Sequence, residues 1–550
     1  MSFNLAEISE AISTAIPDRE CIVFRNRRLP WREFTDRTRR LANVFIAHGL
    51  GCHQERAALQ NFESGQDHVG LYLYNGNEYL EGMVGAYKAR VAPFNVNYRY
   101  VENELVYLLN DADCRALIYH ARFAPTLQKI RGELPHLQLL IQVADESGNA
   151  LLPGALDYET VLREASAARP QLQWSGDDLY ILYTGGTTGF PKGVLWRQED
   201  IFFGALGGHP LGGSKYESIE AMVESAKVGS MRALAAPPFM HGAAHWMAFT
   251  CLHQGGTMVI QHYPDHLDPD DIWSVIEREG IAFLTIVGDA FGRPLLDQLD
   301  RKTYDLSNFR TLLSGGAILT AALKTAFFEK IPHLMIIDGF GASETGGQGS
   351  QILMKGAEVS TGSFRMNDQT LVLKDDLSAA LPPGSPERGW LARAGHVPLG
   401  YFKDAEKTAK TFPVINGLRY AVPGDHATVA ADGSITVLGR GSVSINSGGE
   451  KIYPEEVEQA LKHHPSVYDA VVVGTPNERF GQQVTAIVQA REGEVPSELE
   501  LTEFCAHHIA RYKLPRKIIY VGEMVRSPSG KADYRWAKKI AYESLGLKDS

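Results

Sequence analysis

Cysteine is scarce in this sequence, which has five in 550 residues. The five are widely spaced, and none forms a C-x-x-C pair: Cys21, Cys52, Cys114, Cys251 and Cys505. An odd number at such spacings disfavours zinc ribbons and disulfide scaffolds. Residues 1–7 also lack the basic region and apolar core of a signal peptide. We therefore expect reduced thiols and a cytoplasmic protein.

Blocks of basic residues and long apolar runs are absent as well. Acidic residues outnumber basic ones by 65 to 54, giving a net charge of −11. Because no lysine or arginine cluster stands out, nucleic-acid binding is disfavoured. No uninterrupted apolar run approaches the length of a membrane span, so we expect no transmembrane segment. A chain of 550 residues exceeds one ordinary core, which predicts at least two domains.

Strand-like and helix-like segments alternate along most of the chain. Residues 69–74 read as a strand, residues 79–88 as a helix and residues 92–96 as the next strand. Such alternation predicts an α/β fold with mainly parallel sheets. Residues 454–521 read as a mixture of helices and strands that would form a small α+β domain.

One stretch, residues 184–193, contains four glycines, three threonines and one lysine. Glycines let backbone N–H groups turn inward, and a nest of such groups binds anions. Threonine hydroxyls and the charge of Lys192 suit phosphate oxygens or a metal ion. Lys192 lies between Pro191 and Gly193, so the Walker pattern fails, as does the dinucleotide pattern. We interpret the stretch as a different kind of phosphate loop; the alternative is a flexible surface loop.

A second motif follows a buried apolar segment at residues 334–337. Two glycines, Gly339 and Gly341, precede the polar pair Ser343 and Glu344. A carboxylate beside a triphosphate would repel it unless a cation lay between them. Mg²⁺ takes oxygen ligands from carboxylate and phosphate together. The motif therefore predicts Glu344 as a magnesium ligand.

These motifs resemble those of the adenylate-forming superfamily, which comprises acyl-CoA synthetases, luciferases and peptide-synthetase adenylation domains. One departure is Gly186, where the family usually has serine; another is Phe340, where tyrosine is common. The resemblance implies the cofactors ATP, Mg²⁺ and coenzyme A. It also implies a two-step reaction, in which an acyl adenylate forms and is then converted to a CoA thioester.

The resemblance assigns roles to residues throughout the chain. The catalytic residues it implies are Lys531, Thr188, Glu344 and His241. The metal ligands it implies are Glu344 and Thr187. For the carboxylic acid, it implies contacts with His241, Trp246, Val287, Gly288 and Gly315, and it leaves His245 without a role. The nucleotide and CoA contacts it implies are Thr184, Gly185, Gly186, Thr187, Thr188, Gly189, Lys192, Ser314, Gly315, Gly316, Ala317, Asp338, Gly339, Phe340, Gly341, Ser343, Asp425, Arg440, Gly448, Gly449 and Lys531.

The resemblance also divides the chain into two domains. Residues 1–439 would bind ATP and the acid, and residues 440–550 would form a mobile C-terminal domain. Gly439, Arg440 and Gly441 would form the hinge, where Ser442 replaces the aspartate of many family members. The mobile domain would present Lys531 for the first step and Gly448-Gly449 for the second.

Residues 194–200 and 440–446 most resemble one branch of acyl-CoA synthetases, which includes actinobacterial enzymes for very-long-chain and steroid side-chain acids. The expected function is therefore CoA ligation of a bulky hydrophobic acid. The alternatives are an aryl- or medium-chain acyl-CoA ligase, a luciferase-like enzyme and an inactive homologue. No carrier domain follows the last residue, which argues against a peptide-synthetase module. The expected partners are small molecules, with a homo-oligomer possible.

Overall fold

The computed structural model describes residues 3–184, 191–210, 213–440, 443–447, 450–477, 480–527 and 530–547. Several predicted site residues lie outside the described residues: Gly185, Gly186, Thr187, Thr188, Gly189, Gly448 and Gly449. The roles assigned to them stay predictions. Thr184 and Pro191, which lie on either side of the undescribed part of the phosphate loop, are both described.

The described helices are numbered along the chain. They are α1 (Leu5–Ala15), α2 (Trp31–Ala47), α3 (Asn77–Lys88), α4 (Glu102–Asp111), α5 (Ala124–Ile130), α6 (Tyr158–Glu164), α7 (Gln198–Ala205), α8 (Ile219–Val228), α9 (Gly242–His253), α10 (Pro269–Glu279), α11 (Gly288–Arg301), α12 (Ala321–Lys330), α13 (Ala405–Thr411), α14 (Pro454–Lys462), α15 (Glu498–Ala506) and α16 (Tyr534–Ser544).

The described strands are numbered in the same way. They are β1 (Glu20–Phe24), β2 (Arg27–Pro30), β3 (His68–Tyr72), β4 (Ala92–Asn95), β5 (Cys114–His120), β6 (Leu139–Val143), β7 (Leu156–Asp157), β8 (Leu179–Thr184), β9 (Lys192–Arg197), β10 (Arg232–Ala235), β11 (Thr257–Ile260), β12 (Phe283–Ile286), β13 (Thr311–Gly315), β14 (Met335–Ala342), β15 (Gly346–Leu353), β16 (Ser363–Met366), β17 (Thr370–Leu373), β18 (Arg388–Arg393), β19 (Gly400–Tyr401), β20 (Val414–Ile415), β21 (Leu418–Arg419), β22 (Asp425–Val429), β23 (Ser434–Arg440), β24 (Ile445–Ser447), β25 (Glu450–Ile452), β26 (Val467–Asn477), β27 (Gly481–Ala490) and β28 (Lys517–Val521).

The largest sheet has 13 described strands in the order β17-β18-β22-β23-β16-β15-β14-β13-β12-β10-β11-β1-β2. Its neighbours from β1 through β11, β10, β12 and β13 to β14 are parallel, as the alternating pattern predicts. From β14 to β17 the neighbours are antiparallel. The short link between β14 and β15 explains the change, because a parallel pair needs a long crossover. The α/β class is confirmed, and the sheet is mixed rather than mainly parallel.

Strand β1 reaches this sheet from a distant part of the chain. Ile22 lies opposite Met258 of β11, and a tight hairpin adds β2 at the sheet edge. A second sheet is wholly parallel, in the order β4-β3-β5-β6-β7. Buried apolar residues of α2, α3, α7 and α9 belong to the largest core cluster. The large part of the chain is thus built from helices packed against several sheets.

The last part of the chain forms a separate five-stranded sheet. Its order is β25-β24-β27-β26, and β28 pairs with β27 in parallel. Helix α14 supplies Val457 and Leu461 to the core of this sheet. The large sheet ends with β23 at Arg440, and the small sheet begins with β24 at Ile445. The change of sheet therefore falls in the segment predicted as a hinge, and its pivoting stays a prediction.

Within the part of the chain that the structure describes, no helix has both the length and the apolar character that crossing a bilayer requires.

Candidate active site

A cavity of about 790 Å³ lies at the carboxyl ends of the parallel strands β12, β13 and β14. This is where ligands bind in open α/β sheets. Strand β8 and helix α9 supply two further walls, and residues 531–535 supply part of another. Both parts of the chain therefore contribute to one cavity. Lys531, predicted to be catalytic, lines this cavity. Eleven further predicted site residues line it as well: Thr184, His241, Trp246, Val287, Ser314, Gly315, Gly316, Gly339, Phe340, Gly341 and Ser343.

The cavity wall at the ends of β12 and β13 is closely packed at a position that only glycine can occupy. Gly288 has φ +56°, and a Cβ there would lie 2.4 Å from the Ile318 carbonyl oxygen. Its backbone N–H donates to Ser314 Oγ at 3.1 Å, which ties the two strand ends together. Gly288 thus shapes the wall from behind and is not one of its lining residues, whereas the neighbouring Val287 is. Ala317, also predicted at this boundary, packs against the core behind the wall.

Strand β14 runs through the second motif instead of ending before its glycines. A Cβ at Gly341 would lie 2.2 Å from the Gly346 carbonyl oxygen, so only glycine fits where β14 turns into β15. The carboxylate of Asp338 pairs with Lys324 Nζ at 2.6 Å, and both side chains are buried. Burial raises the pKa of Asp338 to about 6, against the effect of Lys324. Asp338, predicted to contact the nucleotide, is therefore held by α12 and does not line the cavity.

Glu344 is buried just beyond β14, behind the cavity wall. The Tyr401 hydroxyl donates to its Oε1 at 2.8 Å, and no described residue donates to its Oε2. Among the described residues, no group of three or more His, Cys, Asp or Glu side chains is placed to hold a metal ion. A cation at Glu344 would thus take most of its ligands from phosphate and water, as Mg²⁺ commonly does. The free oxygen of Glu344 fits the predicted magnesium role.

Lys192, predicted to contact the nucleotide, is paired with an acidic side chain. Its ammonium group forms an ion pair with Asp404, and it lies 6.0 Å from the centre of the Tyr401 ring. Burial acts to raise the pKa of the Asp404 carboxyl. The hydrogen bond from Lys192 outweighs burial, so the pKa of Asp404 is lowered. Lys192 does not line the cavity in this structure. The contact of Lys192 with a pyrophosphate group stays a prediction.

Lys531 reaches the cavity through a tightly packed turn of the small domain. Gly530 has φ +75°, and a Cβ there would lie 3.1 Å from the Phe291 ring and 3.4 Å from Val287. The Lys531 side chain passes close to Gly316, since a Cβ added at Gly316 would lie 3.8 Å from Lys531 Cε. Gly530 thus lets the turn approach Phe291 closely, and the turn brings the Lys531 side chain alongside Gly316.

The turn that carries Lys531 is held by a buried ion pair. Arg526 donates to Asp469 through Nε at 2.6 Å and Nη2 at 2.5 Å, and its Nη1 donates to the Gly530 carbonyl oxygen at 3.1 Å. Burial acts to raise the pKa of the Asp469 carboxyl. Lys462 and Arg526 together outweigh burial and lower the pKa of Asp469 to about 2. A charged Asp469 therefore fixes Arg526, and Arg526 fixes the backbone next to Lys531.

His241 caps the N-terminus of α9 and faces the cavity. Burial, and to a lesser extent the charge of Lys531, lowers its pKa to about 3. The ring is therefore neutral at pH 7, and its Nε2 has no hydrogen-bond partner among the described residues. His241 therefore offers the cavity an unused ring nitrogen and adds no charge to it.

The predicted ribose residue Asp425 is buried at the start of β22, opposite Arg440 of β23. It does not line the cavity, and its contact with a ribose stays a prediction. Sequence reasoning missed Asn95, which lines the cavity. Its Nδ2 donates to the carbonyl oxygens of Tyr183 and Met240, both at 2.8 Å, and its Oδ1 accepts from the Tyr183 N–H. Asn95 thereby joins three segments around the cavity, a role that no local pattern indicates.

Comparison with known proteins identifies the family. The AMP-binding enzyme family matches residues 10–402, and the AMP-binding enzyme C-terminal domain matches residues 456–531. The chain is 51% identical over 542 residues to "Medium-chain acyl-CoA ligase Mig" of Mycobacterium avium, covering 98% of both chains. It is 42% identical over 551 residues to "Medium/long-chain-fatty-acid--CoA/3-oxocholest-4-en-26-oate--CoA ligase" of Mycolicibacterium smegmatis, covering 99% of this chain and 97% of that one.

Solved structures show the same fold. The anthranilate CoA ligase AuaEII in complex with anthranoyl-AMP superposes with a TM-score of 0.83 at 24% identity, covering 99% of this chain and 98% of the other. ATP-bound MatB from Rhodopseudomonas palustris superposes with a TM-score of 0.79 at 22% identity, covering 98% and 99%. Likeness at this level of identity shows the fold alone. The extent of the family match and the identity to curated relatives show that the chain belongs to the AMP-binding enzyme family.

Proposed function

We propose that this protein is an ATP-dependent acyl-CoA synthetase that activates a bulky hydrophobic carboxylic acid. The product would be the CoA thioester, with AMP and pyrophosphate released. The observation that carries the proposal is the position of Lys531, at a cavity lined on one side by an apolar helix and on the other by the glycine-rich ends of β13 and β14. The two relatives named above are both called acyl-CoA ligases, which supports the same reaction.

In the first step, a carboxylate oxygen of the acid attacks the α-phosphorus of ATP. The bond from that phosphorus to the pyrophosphate oxygen breaks, and the acyl adenylate forms. The two reacting groups are both anions, so catalysis consists mostly of aligning them and stabilising their charge. The Lys531 side chain passes beside Gly316, from where its ammonium group would contact the carboxylate and the α-phosphate together. Glu344 would hold Mg²⁺, which would offset the charge of the pyrophosphate when bound.

In the second step, the CoA thiol loses its proton and its sulfur attacks the adenylate carbonyl. The carbon–sulfur bond forms, the bond from carbon to the AMP oxygen breaks, and AMP leaves. Lys531 and the Gly448-Gly449 face cannot occupy the site together, so the small domain would turn about residues 439–443 between the steps. The neutral His241 ring would leave this region free of a second positive charge.

The reaction products test the proposal. We expect sustained release of AMP and pyrophosphate from ATP only when a carboxylic acid, Mg²⁺ and CoA are all present, because without CoA the enzyme stops at the acyl adenylate. Chromatography of the nucleotides, with each component omitted in turn, measures this. Formation of ADP would contradict the proposal, because it would mean attack at the γ-phosphorus. Adenylation that proceeds with oxygen and without any use of CoA would favour the luciferase-like alternative.

Substitution of Glu344 by glutamine tests the magnesium role. Glutamine has the same shape as glutamate but no charge. We expect at least about a tenfold higher Mg²⁺ concentration for half-maximal adenylation, because even the loss of a residue that supports a metal ligand lowers metal affinity that much. Titration of the rate with Mg²⁺ measures this. Glu358→Gln, at an exposed site away from the cavity, is the matched control. Wild-type rates of Glu344→Gln at limiting Mg²⁺ would rule out the metal role.

A further inference from the structure

One face of helix α9 lines the cavity, where Ala243 and Met247 flank a row of residues spaced four apart. Gly242, Trp246, Thr250 and Gln254 recur every fourth position, are only partly buried, and all line the cavity. Residues four apart lie above one another on a helix. At 1.5 Å per residue, this row extends about 18 Å from the reaction end of the cavity. An acyl chain bound in this cavity would therefore run along one face of α9.

Trp246 is the only large side chain in this row, and it lies close to the reaction end. A Cβ added at Gly242 would lie 3.0 Å from both Cε2 and Cζ2 of Trp246, so the indole ring folds back over that glycine. Side chains on a helix lean in this direction, toward the preceding turn. Thr250 and Gln254 lie farther along. The orientation of the Trp246 ring thus decides how easily an acyl chain passes from the first part of the cavity into the second.

A chain of three hydrogen bonds fixes the ring. Trp246 Nε1 donates to the Tyr180 hydroxyl oxygen at 2.8 Å, the Tyr180 hydroxyl donates to His245 Nε2, and His245 Nδ1 donates to the Phe239 carbonyl oxygen at 2.6 Å. The carbonyl can only accept, which places the imidazole proton on Nδ1 and leaves Nε2 as an acceptor. Burial lowers the pKa of His245 to about 4, so the neutral ring persists at pH 7. Every donor in the chain is thus matched to one acceptor.

Tyr180 and His245 do not line the cavity, and both are buried in the core beside it. We propose that they are positioning residues that set the acid selectivity of the enzyme by holding the Trp246 ring in one orientation. The proposal rests on the acyl-CoA synthetase function proposed above and extends it to the residues that choose among acids. It also gives His245 a role distinct from that of its neighbour His241.

A buried tyrosine in this core does not need a hydrogen bond in order to be accommodated. Tyr87 belongs to the same core cluster and is fully buried, and its hydroxyl has no hydrogen-bond partner among the residues that the structure describes. Tyr87→Phe is therefore a matched control for Tyr180→Phe: each variant removes one buried hydroxyl from the same core. Only the second breaks the link to Trp246.

The experiment measures kcat/KM of wild type, Tyr180→Phe and Tyr87→Phe for butanoate, octanoate, hexadecanoate and a steroid side-chain acid. In Tyr180→Phe the indole loses its acceptor, and short acids lose a fixed wall against which they pack. We expect the ratio of kcat/KM for hexadecanoate to that for butanoate to rise about fivefold, the range set by one hydrogen bond. Tyr87→Phe should keep the wild-type ratio. An unchanged ratio in a folded Tyr180→Phe protein would overturn the proposal.

A double-mutant cycle separates positioning from a general loss of stability. Trp246→Phe should shift the ratio in the same direction, because its smaller ring has no N–H group. Adding Tyr180→Phe to Trp246→Phe should then change the ratio no further, and additive shifts would refute action through Trp246. Should Tyr180→Phe fail to fold, an unchanged ratio in Trp246→Phe alone would also overturn the proposal. Wild-type protein that activates none of the acids would instead refute the proposed function.

Discussion

Lys531→Ala is expected to slow acyl-adenylate formation about 10²–10³-fold and to leave thioester formation from a supplied adenylate intact. Removing one group that stabilises charge in the transition state typically costs this much. The Lys531 side chain passes Gly316 at the ends of the central strands, where the carboxylate and the α-phosphate would meet. The thiol step breaks a different bond and has no need of this cation. The two half-reactions should therefore separate.

Two assays measure the separation. Adenylation is followed as exchange of labelled pyrophosphate into ATP, and thioester formation as consumption of a synthetic acyl adenylate with CoA. Lys539→Ala is the matched control, because Lys539 is an exposed lysine of the same domain, on α16. That variant should match wild type in both assays. Equal losses in both half-reactions of Lys531→Ala would refute a mechanism with two positions of the small domain, and so would full adenylation activity.

Octanoate is expected to exceed acetate in kcat/KM by about 10³–10⁴. Each buried methylene group contributes about 0.8 kcal/mol, so the six additional methylene groups amount to about 5 kcal/mol. The cavity offers room for them beyond Trp246, where Met231, Met247 and Phe283 are apolar lining residues. Initial rates over a range of acid concentrations measure the ratio. Acetate working as well as octanoate would contradict the prediction.

Octanedioate is the matched control for this experiment. It has the same chain length as octanoate, but a second carboxylate would enter the apolar part of the cavity. Burying an unpaired charge is costly, so octanedioate should be a much poorer substrate than octanoate. Equal rates for the two acids would mean that the distal part of the cavity is open to water during the reaction. The panel also distinguishes a medium-chain preference from one for longer or steroid acids.

Local patterns predicted much of the fold. The predicted helix at residues 79–88 lies within α3, and the predicted strand at residues 92–96 matches β4 to within one residue. The predicted strand at residues 69–74 is displaced, since β3 is His68–Tyr72. The alternation of polar and apolar residues indicates which residues are buried. Where a strand begins and ends depends instead on its pairing with the neighbouring strand. For β3 the neighbours are β4 and β5, which come later in the chain.

The partners of the site residues were beyond sequence reasoning. Lys192 pairs with Asp404, 212 positions away, and Glu344 accepts from Tyr401, 57 positions away. Residue type predicted that each of these side chains would be charged. Only the folded structure shows which oppositely charged or polar group pairs with each of them. Tyr180 and His245 were missed for the same reason, because a buried tyrosine and a buried histidine read as ordinary core residues.

The pairing of β1 with β11 has a consequence for how the protein is made. Ile22 leaves the ribosome more than two hundred residues before its partner Met258. Until then the β1–β2 hairpin has one uncovered edge, and two strands alone are marginally stable in water. Contacts this distant in sequence make folding slow, and an uncovered strand edge can pair with another chain. The nascent chain should therefore aggregate most readily before β11 has been synthesised, at the stage when chaperones that bind emerging chains would matter most.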